Sequence, residues 1–406
     1  MTLRALMHSG LKSGKALLLK AFFASAPRFL PTLTPEKLGI NLVGYHRADL
    51  GLGEALRYTA KALAYEHIPF AVRDFLPQLR GTSQTNQAME AYLKPYCAYP
   101  INCLVINPDL LYRLPSWITY PEWAMRYNIA YWFWELPNFP KPWRYAISLV
   151  DEIWVNTEFN AKAMAQAHQR VIKIPFAVEF AQPSAHLNRA YFALPDWGFL
   201  FLCSFDFNSA VARKNPGAVI EAFLSAFSAS LDQNFLIVKS VNGHLHPEDF
   251  AQLKQRALHD PRILFIDRHL SSEETHGLLQ CADCYVSLHR SEGLGLGMAE
   301  SMYLGKPVIA TAYSGNLEFM NEHNACLIAY TEVAVSPKEY PHAEHQVWAN
   351  ANLKDAALAM QRISTDAVFR NELGSKAHAY MRKHHSFVVM GNAITKRLKE
   401  IAALLS

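Results

Sequence analysis

Two carboxylates with seven residues between them, Glu292 and Glu300, bracket the stretch Gly293-Leu294-Gly295-Leu296-Gly297. Glycines at alternate positions leave amide N–H groups bare, and a helix starting there adds the positive end of its dipole, so an anionic phosphate binds readily at such a turn. Glu292 lies at the entrance of the turn and Glu300 about one turn into the expected helix, so two acceptors for sugar hydroxyls flank one phosphate position. The combination suits a nucleotide sugar. Without such a ligand, the same residues would make a tight strand-to-helix turn with solvated glutamates.

The elements needed to hold this turn stand on both sides of it. Residues 284–288 read as a buried strand, and the helix after the glycines is followed by Gly305-Lys306-Pro307 and a new strand at 307–310. This run, from the first glutamate through Ala310, resembles the donor site of glycosyltransferase family 4, retaining enzymes of the GT-B fold, and the resemblance covers roughly residues 40–329. It implies an α/β chain of two Rossmann-like doubly wound domains facing a cleft. It also implies that Glu300 holds the ribose of a nucleotide diphosphate sugar and Glu292 the sugar being transferred.

A second stretch, from Ser204 to Pro216, follows the first strand of the second series and precedes a helix, since proline suits a first helical turn. In the family this loop brings an arginine and a lysine to the donor diphosphate. Lys214 matches the lysine, whereas the arginine column falls near Asn208, so either Arg213 substitutes or Lys214 and backbone amides hold the phosphate. Cations close to a positive helix start are unfavourable as mere surface residues, which favours a role for Arg213 and Lys214. Gly51 and Gly53 look like the family's first-domain glycine loop beside the donor; a tight turn with no ligand is the plain alternative. Where many members have a histidine near the reacting sugar, this chain has Trp134 or Glu135. Trp134 is expected to stack on a sugar ring and Glu135 to take acceptor hydroxyls; the plain alternative makes the aromatics core and Glu135 a cap. His289 and Arg290 either border the site or make a packed strand end, and Tyr313-Ser314-Gly315-Asn316 either completes the cleft or is a plain turn.

In chain order, a strand at 38–44 leads through a glycine turn into a helix reaching residue 66, the first βα unit of a Rossmann-like domain. Short β-rich runs at 70–73, 101–107, 128–133, 152–156 and 171–174 continue it, with a helix at 158–169. The second series has strands at 199–205, 235–241, 263–266, 284–288, 307–310 and 326–329. Alternation of strands and helices implies parallel sheets. The expected division is a basic amphipathic extension 1–35, an acceptor domain 36–181 completed by a helix at 386–406, a linker 182–197, and a donor domain 198–385. The tail from Trp348 reads as helical almost throughout.

With 406 residues, 51% hydrophobic and 18% charged, the chain is long enough for two globular domains. A net charge of +4 with no concentrated basic stripe argues against nucleic acid as a partner. Six scattered cysteines do not make a disulfide framework, which points to a reducing cytoplasm. The pair Cys281 and Cys284 has redox or metal spacing without a second pair, so core packing is the expectation. No HExxH or Asp-x-Asp pattern is present among the 17 histidines and the acidic residues, so no metal and no cofactor is expected. No apolar run reaches bilayer length, Lys20 interrupting the best candidate at 16–26. The first 35 residues carry five cations and no acid among leucines and phenylalanines, which suits either peripheral contact with an anionic membrane or a frayed extension, the spread of basic residues into the apolar stretch arguing against a signal peptide.

The resulting expectation is a metal-independent, retaining hexosyltransferase that uses a nucleotide diphosphate sugar and a glycan or lipid-linked acceptor in cell-surface polysaccharide synthesis. Lys214, Glu292 and Glu135 are its expected catalytic residues. The alternative is a GT-B-fold protein that binds nucleotide sugars without turnover, suggested by the missing arginine and histidine.

Overall fold

A computed structural model describes residues 28, 30, 32, 38–48, 51–75, 87–227 and 233–406. The extension expected at 1–35 lies almost wholly outside the described residues. Among the described residues, no helix is long and apolar enough to cross a membrane.

The chain divides into two compact units, one made of residues through Trp134, Asn138–Ala177 and Phe387–Ser406, the other of Glu135–Pro137 and Val178–Ser386. Each is built on a six-stranded sheet whose neighbouring strands all run parallel. The first sheet contains β1 (Ile40–Gly44), β2 (Phe70–Asp74), β3 (Ile101–Val105), β4 (Tyr127–Tyr131), β5 (Glu152–Val155) and β6 (Val171–Lys173), in the order β2-β1-β3-β4-β5-β6. Its central strands are buried along their whole length, as near-continuous apolar runs covered on both faces must be. A polar thread nevertheless runs through this core: Asn41 donates to Asn102 Oδ1 at 2.9 Å, and Asn102 donates to Asn128 Oδ1 at 2.9 Å. All three asparagines are fully buried, and their remaining N–H groups reach backbone carbonyls, which offsets the cost of burying amides.

Helix Gly51–Tyr65 follows β1, and helix Phe387–Leu405 lies against it. The buried residues Met390, Ile394, Leu398 and Ile401 recur at helical spacing and form the inward stripe of the later helix. Gly391 allows the close approach, because a Cβ there would stand 2.9 Å from the Ala62 carbonyl oxygen. The contact is fixed by charge as well as by packing. Arg397 grips the fully buried Glu152 carboxylate at the start of β5, which also accepts hydrogen bonds from Tyr127 Oη at 2.9 Å and Trp154 Nε1 at 2.7 Å.

The second sheet contains β7 (Phe199–Asp206), β8 (Asn234–Val241), β9 (Ile263–Asp267), β10 (Cys284–Ser287), β11 (Val308–Thr311) and β12 (Cys326–Ile328), in the order β12-β11-β10-β7-β8-β9. The chain starts in the interior at β7, builds outward to β9, then crosses back to β10 on the other side. The carboxyl ends of β7 and β10 thus flank the switch point where loops diverge and ligands are taken in folds of this class. Residues 182–197, expected to be a linker, fall within this unit. Leu187 and Phe192 are buried, and Arg189 pairs with Asp283 at 2.8 Å.

The tail expected to be helical almost throughout from Trp348 is so apart from its start: β13 (Tyr330–Ala334) and β14 (Val347–Ala351) form an antiparallel pair, and helices Leu353–Thr365, Ala367–His384 and Phe387–Leu405 follow. Trp348 is fully buried within β14. The β-prone run Val347-Trp348-Ala349 is short, and the strong helical pattern that follows it masks it in the sequence. The loop 335–346 between the two strands proves important for the site.

Candidate active site

Three adjacent strands, β11, β10 and β7, deliver three loops from their carboxyl ends to one place in the second unit. The loop after β10 carries the glycine turn. Gly295 has φ +93, a left-handed conformation that glycine adopts without strain, and helix Leu296–Tyr303 starts immediately after it. The turn docks backbone to backbone on the loop after β11: Glu292 N–H donates to Ser314 Oγ at 2.8 Å, and Gly315 N–H donates to the Glu292 carbonyl at 2.9 Å. Gly315 must be bare for this, since a Cβ would meet the Gly293 carbonyl oxygen at 2.2 Å. Gly297 is small for a different reason, with Tyr285 Oη of β10 only 2.7 Å from where its Cβ would be.

The loop after β7 contributes the cations. Arg213 and Lys214 end the one-turn helix Val211–Lys214, and Asn215 in a left-handed conformation turns the chain into helix Pro216–Ala226. They therefore lie in the last turn of one helix, where cations are favoured, as well as just before the start of the next. Lys214 Nζ is 2.5 Å from Glu292 Oε1, and Arg213 Nη1 is 3.1 Å from Glu292 Oε2. Arg213 also donates to the carbonyls of Ser291 at 2.9 Å and Ser209 at 3.2 Å, while its buried Nε–H has no hydrogen-bond partner. Asn208, near which the resemblance would put an arginine, instead meets His246 Nε2 through Oδ1 at 2.9 Å. The guanidinium in the cluster is that of Arg213.

Glu135 joins the same cluster. Its Oε2 accepts a hydrogen bond from Tyr340 Oη at 2.8 Å, its Oε1 is 3.9 Å from Arg213 Nη2, and its backbone carbonyl accepts from Ser291 Oγ. Tyr340 reaches in from the loop 335–346, with the Arg213 guanidinium 5.8 Å from its ring centre. No spacing in the sequence signals Tyr340 or Ser291, whose roles depend on loops meeting in space, whereas Ser314 and Gly315 belong to the stretch 313–316 expected at the site. Trp134 does not take the part expected of it. It is 2% exposed, packs edge-on against Trp143 and donates through Nε1 to the Asn138 carbonyl at 2.9 Å, so its face is not open to a sugar.

Two cations and two carboxylates thus share a largely buried space. Burial raises the Glu292 carboxyl, but Lys214 and Arg213 outweigh it and hold the group down at about 2. Burial works against the charge on Arg213, and Glu292 and Glu135 more than restore it. Breaking even one buried pair leaves an uncompensated charge, yet an apolar replacement of the whole set is often as stable; such clusters are commoner at working sites than in plain cores.

Glu300 is 8% exposed on helix Leu296–Tyr303, 3.4 Å from His276 Nε2, and His276 stacks on Phe180 at 3.6 Å between ring centres. Its carboxylate is therefore held in place rather than solvated. His289 is a structural strut. Its Nε2 faces two acceptors, the Tyr313 carbonyl and Asn316 Oδ1, both at 3.1 Å, and Ser287 Oγ lies 3.0 Å from Nδ1. Burial lowers its pKa, which suits a neutral ring carrying its proton on Nε2. Arg290 pairs with Glu339 at 3.1 Å and lies over Trp348.

In the first unit, Gly51 opens its helix with nothing within 4 Å of where a Cβ would stand, whereas a Cβ on Gly53 would meet the Ala48 carbonyl oxygen at 2.5 Å. The second glycine is needed by the fold and the first is not. Cys281 and Cys284, at a helix end and a strand start, are free thiols raised by burial. Among the described residues, no group of three or more His, Cys, Asp or Glu side chains is arranged to hold a metal ion.

Residues 204–338 match the family model described as Glycosyl transferases group 1. The stretch includes Arg213, Lys214, Glu292 and Glu300 and stops short of Tyr340. Comparison with curated proteins finds no match. Among solved structures, the chain is similar to Anabaena HepE in complex with UDP and glucose, with 15% identity over 89% of this chain and 100% of that one and a TM-score of 0.63. It is similar to sucrose-phosphate synthase from Thermosynechococcus elongatus, with 17% identity over 90% and 100% of the two chains and a TM-score of 0.63. A glycosyltransferase from Rickettsia africae gives 13% identity over 90% and 98%, with a TM-score of 0.64. Two parallel six-stranded sheets with this likeness are the GT-B fold of glycosyltransferases, and the stretch that matches the group 1 glycosyl transferase model lies in the second unit.

Proposed function

We propose that this protein is a retaining glycosyltransferase that moves a hexose from a nucleotide diphosphate sugar to a glycan or lipid-linked acceptor, without a metal ion, in the synthesis of cell-surface polysaccharide. The observation that carries the reading is the Lys214–Glu292–Arg213 cluster set against the glycine turn, with Glu300 one helical turn beyond. Arg213, Lys214 and the amides of 293–297 take the diphosphate, the orphaned Arg213 Nε–H supplying a further donor. Glu300 takes the ribose hydroxyls and Glu292 a hydroxyl of the hexose. The bond from the anomeric carbon to the diphosphate oxygen breaks as the acceptor oxygen attacks from the same face. The acceptor proton passes to the departing diphosphate, so no covalent enzyme intermediate is needed. The protein contributes positioning and the stabilisation of charge that grows on the diphosphate.

The family match of residues 204–338 and the UDP found in the HepE complex support a nucleotide-sugar donor. The absence of any Asp-x-Asp stretch in the sequence, beside two cations at the site, supports metal independence. We place the enzyme in the cytoplasm, held peripherally at an anionic membrane face by residues 1–35, as their charge suggests. The test is incubation of the full-length protein with a panel of UDP-hexoses and GDP-hexoses in the presence of chelator, reading release of free nucleotide. Release from one donor supports the proposal. Tight binding with no release from any donor, with and without acceptor glycans, would assign the protein to nucleotide-sugar binding alone.

A further inference from the structure

The cluster contains one carboxylate that the diphosphate scheme does not use. Glu135 lies outside the stretch matched by the family model, and Tyr340, which holds it, lies two residues beyond that stretch. Glu135 is also the most open acid of the cluster, its side chain 26% exposed against 9% for Glu292. Its two oxygens are not equivalent. Oε2 is taken by the Tyr340 hydroxyl, whereas Oε1 has no hydrogen bond among the described residues and is 3.9 Å from the Arg213 guanidinium, beyond hydrogen-bond reach. Ser291 Oγ fixes the backbone of the same residue, so Glu135 is tied to the chain immediately before Glu292.

We propose that Glu135 Oε1 accepts a hydroxyl of the hexose being transferred and so sets donor-sugar specificity, with Tyr340 as the positioning residue that aims it. The inference rests on the function proposed above and deepens it. A carboxylate is an acceptor in its ionised form, so its complement is a ligand O–H, and a carboxylate locked at one oxygen presents the other in a single direction. A site that must bind a hydroxyl discriminates against an analogue lacking it, because the buried acceptor is then left unpaired. Tyr340 is suited to the aiming role. Its burial and the neighbouring Glu135 raise the phenol's pKa, keeping it a hydrogen-bond donor. The loop that carries it is closed by Val335 N–H donating to the Gln346 carbonyl at 3.0 Å and by the Glu339–Arg290 pair.

The test uses the full-length protein, the UDP-hexose or GDP-hexose that it turns over best, the matching nucleoside diphosphate, and monodeoxy analogues of that hexose donor. Tyr340→Phe keeps the ring near Arg213 and removes only the hydroxyl; Glu135→Gln removes the charge. Each variant is expected to lose about tenfold or more in kcat/KM for the hexose donor while its affinity for the nucleoside diphosphate stays within about twofold of wild type. The double variant is expected to be no worse than Glu135→Gln, because both changes act through one carboxylate. One deoxy position should cost wild type about as much as Glu135→Gln does, and cost the variant nothing further. Wild-type kcat/KM in both single variants, additive losses, or parallel loss of nucleotide affinity would overturn the proposal. Where Tyr340→Phe lowers the melting temperature, Glu135→Gln with the deoxy series decides alone. A wild type that turns over no hexose donor sinks the function proposal; a wild type that turns one over, with indifferent variants, sinks only this inference.

Discussion

Lys214 Nζ lies 2.5 Å from Glu292 Oε1, so the lysine assigned to the donor diphosphate is already neutralised by a carboxylate of its own chain. An incoming diphosphate must compete with Glu292 for this charge. Glu292→Gln is therefore expected to bind the sugar-free nucleoside diphosphate more tightly than wild type while turning over less donor. Lys214→Met should weaken the same nucleotide by on the order of tenfold to a hundredfold, the worth of a charged hydrogen bond of roughly 1.5–3 kcal/mol. Titration calorimetry with UDP or GDP reads both; equal affinities across wild type and both variants would remove Lys214 from the phosphate site.

The same carboxylate gives the second unit a dependence on acid. Its folded-state pKa is depressed from 4.5 to about 2, so the stability it contributes is present above pH 4.5 and is lost as pH falls toward 2. Between those limits wild type should lose stability to urea faster than Glu292→Gln, which has no proton to bind there. Unfolding curves at half-unit pH steps check this, and parallel acid slopes for the two proteins would count against it.

Glu300→Ala tests the ribose assignment. The nucleoside diphosphate without sugar should bind on the order of tenfold to a hundredfold more weakly, and the change should appear in KM for the donor. His276, 3.4 Å from Glu300, serves as a comparison: His276→Ala removes the neighbour that fixes the carboxylate and should give a smaller loss in the same direction.

Gly51→Ala and Gly53→Ala separate a ligand role from a folding role. A Cβ at Gly51 meets nothing within 4 Å, so melting temperature should be unchanged; lower donor turnover in that variant would place a ligand against the glycine. A Cβ at Gly53 is 2.5 Å from a backbone oxygen, so Gly53→Ala should lower the melting temperature whatever the ligand does.

Arg397→Met removes the cation that grips the fully buried Glu152 carboxylate, and should destabilise the first unit by roughly 3–5 kcal/mol, read by urea denaturation. Arg397→Met combined with Glu152→Gln should recover part of that loss, since the uncompensated charge is then gone.

The strands and the glycine turn can be read from the sequence because both rest on local signals. Strands expected at 284–288 and 307–310 are β10 at Cys284–Ser287 and β11 at Val308–Thr311. Lys214 and Glu292 stand out for their neighbours in the chain, although 78 positions separate the residues that pair. Tyr340 carries no such signal, since it enters from a loop between two strands, the second of which hides beside a helical pattern. The stretch around Trp134 and Glu135 is identifiable by its aromatics, but not which of the two joins the cluster: the indole is packed away and the carboxylate reaches it. The buried Asn41, Asn102 and Asn128 are equally hidden, because an asparagine within an apolar strand does not reveal whether two others will lie beside it.

Helix Phe387–Leu405 belongs to the first sheet's unit, yet the ribosome makes it only after every residue of the second unit. During synthesis the first unit must wait with the groove along helix Gly51–Tyr65 open and the Glu152 charge unmatched by Arg397. The second sheet can close while the first is unfinished, and a nascent chain stalled before residue 387 would offer a chaperone that open apolar groove.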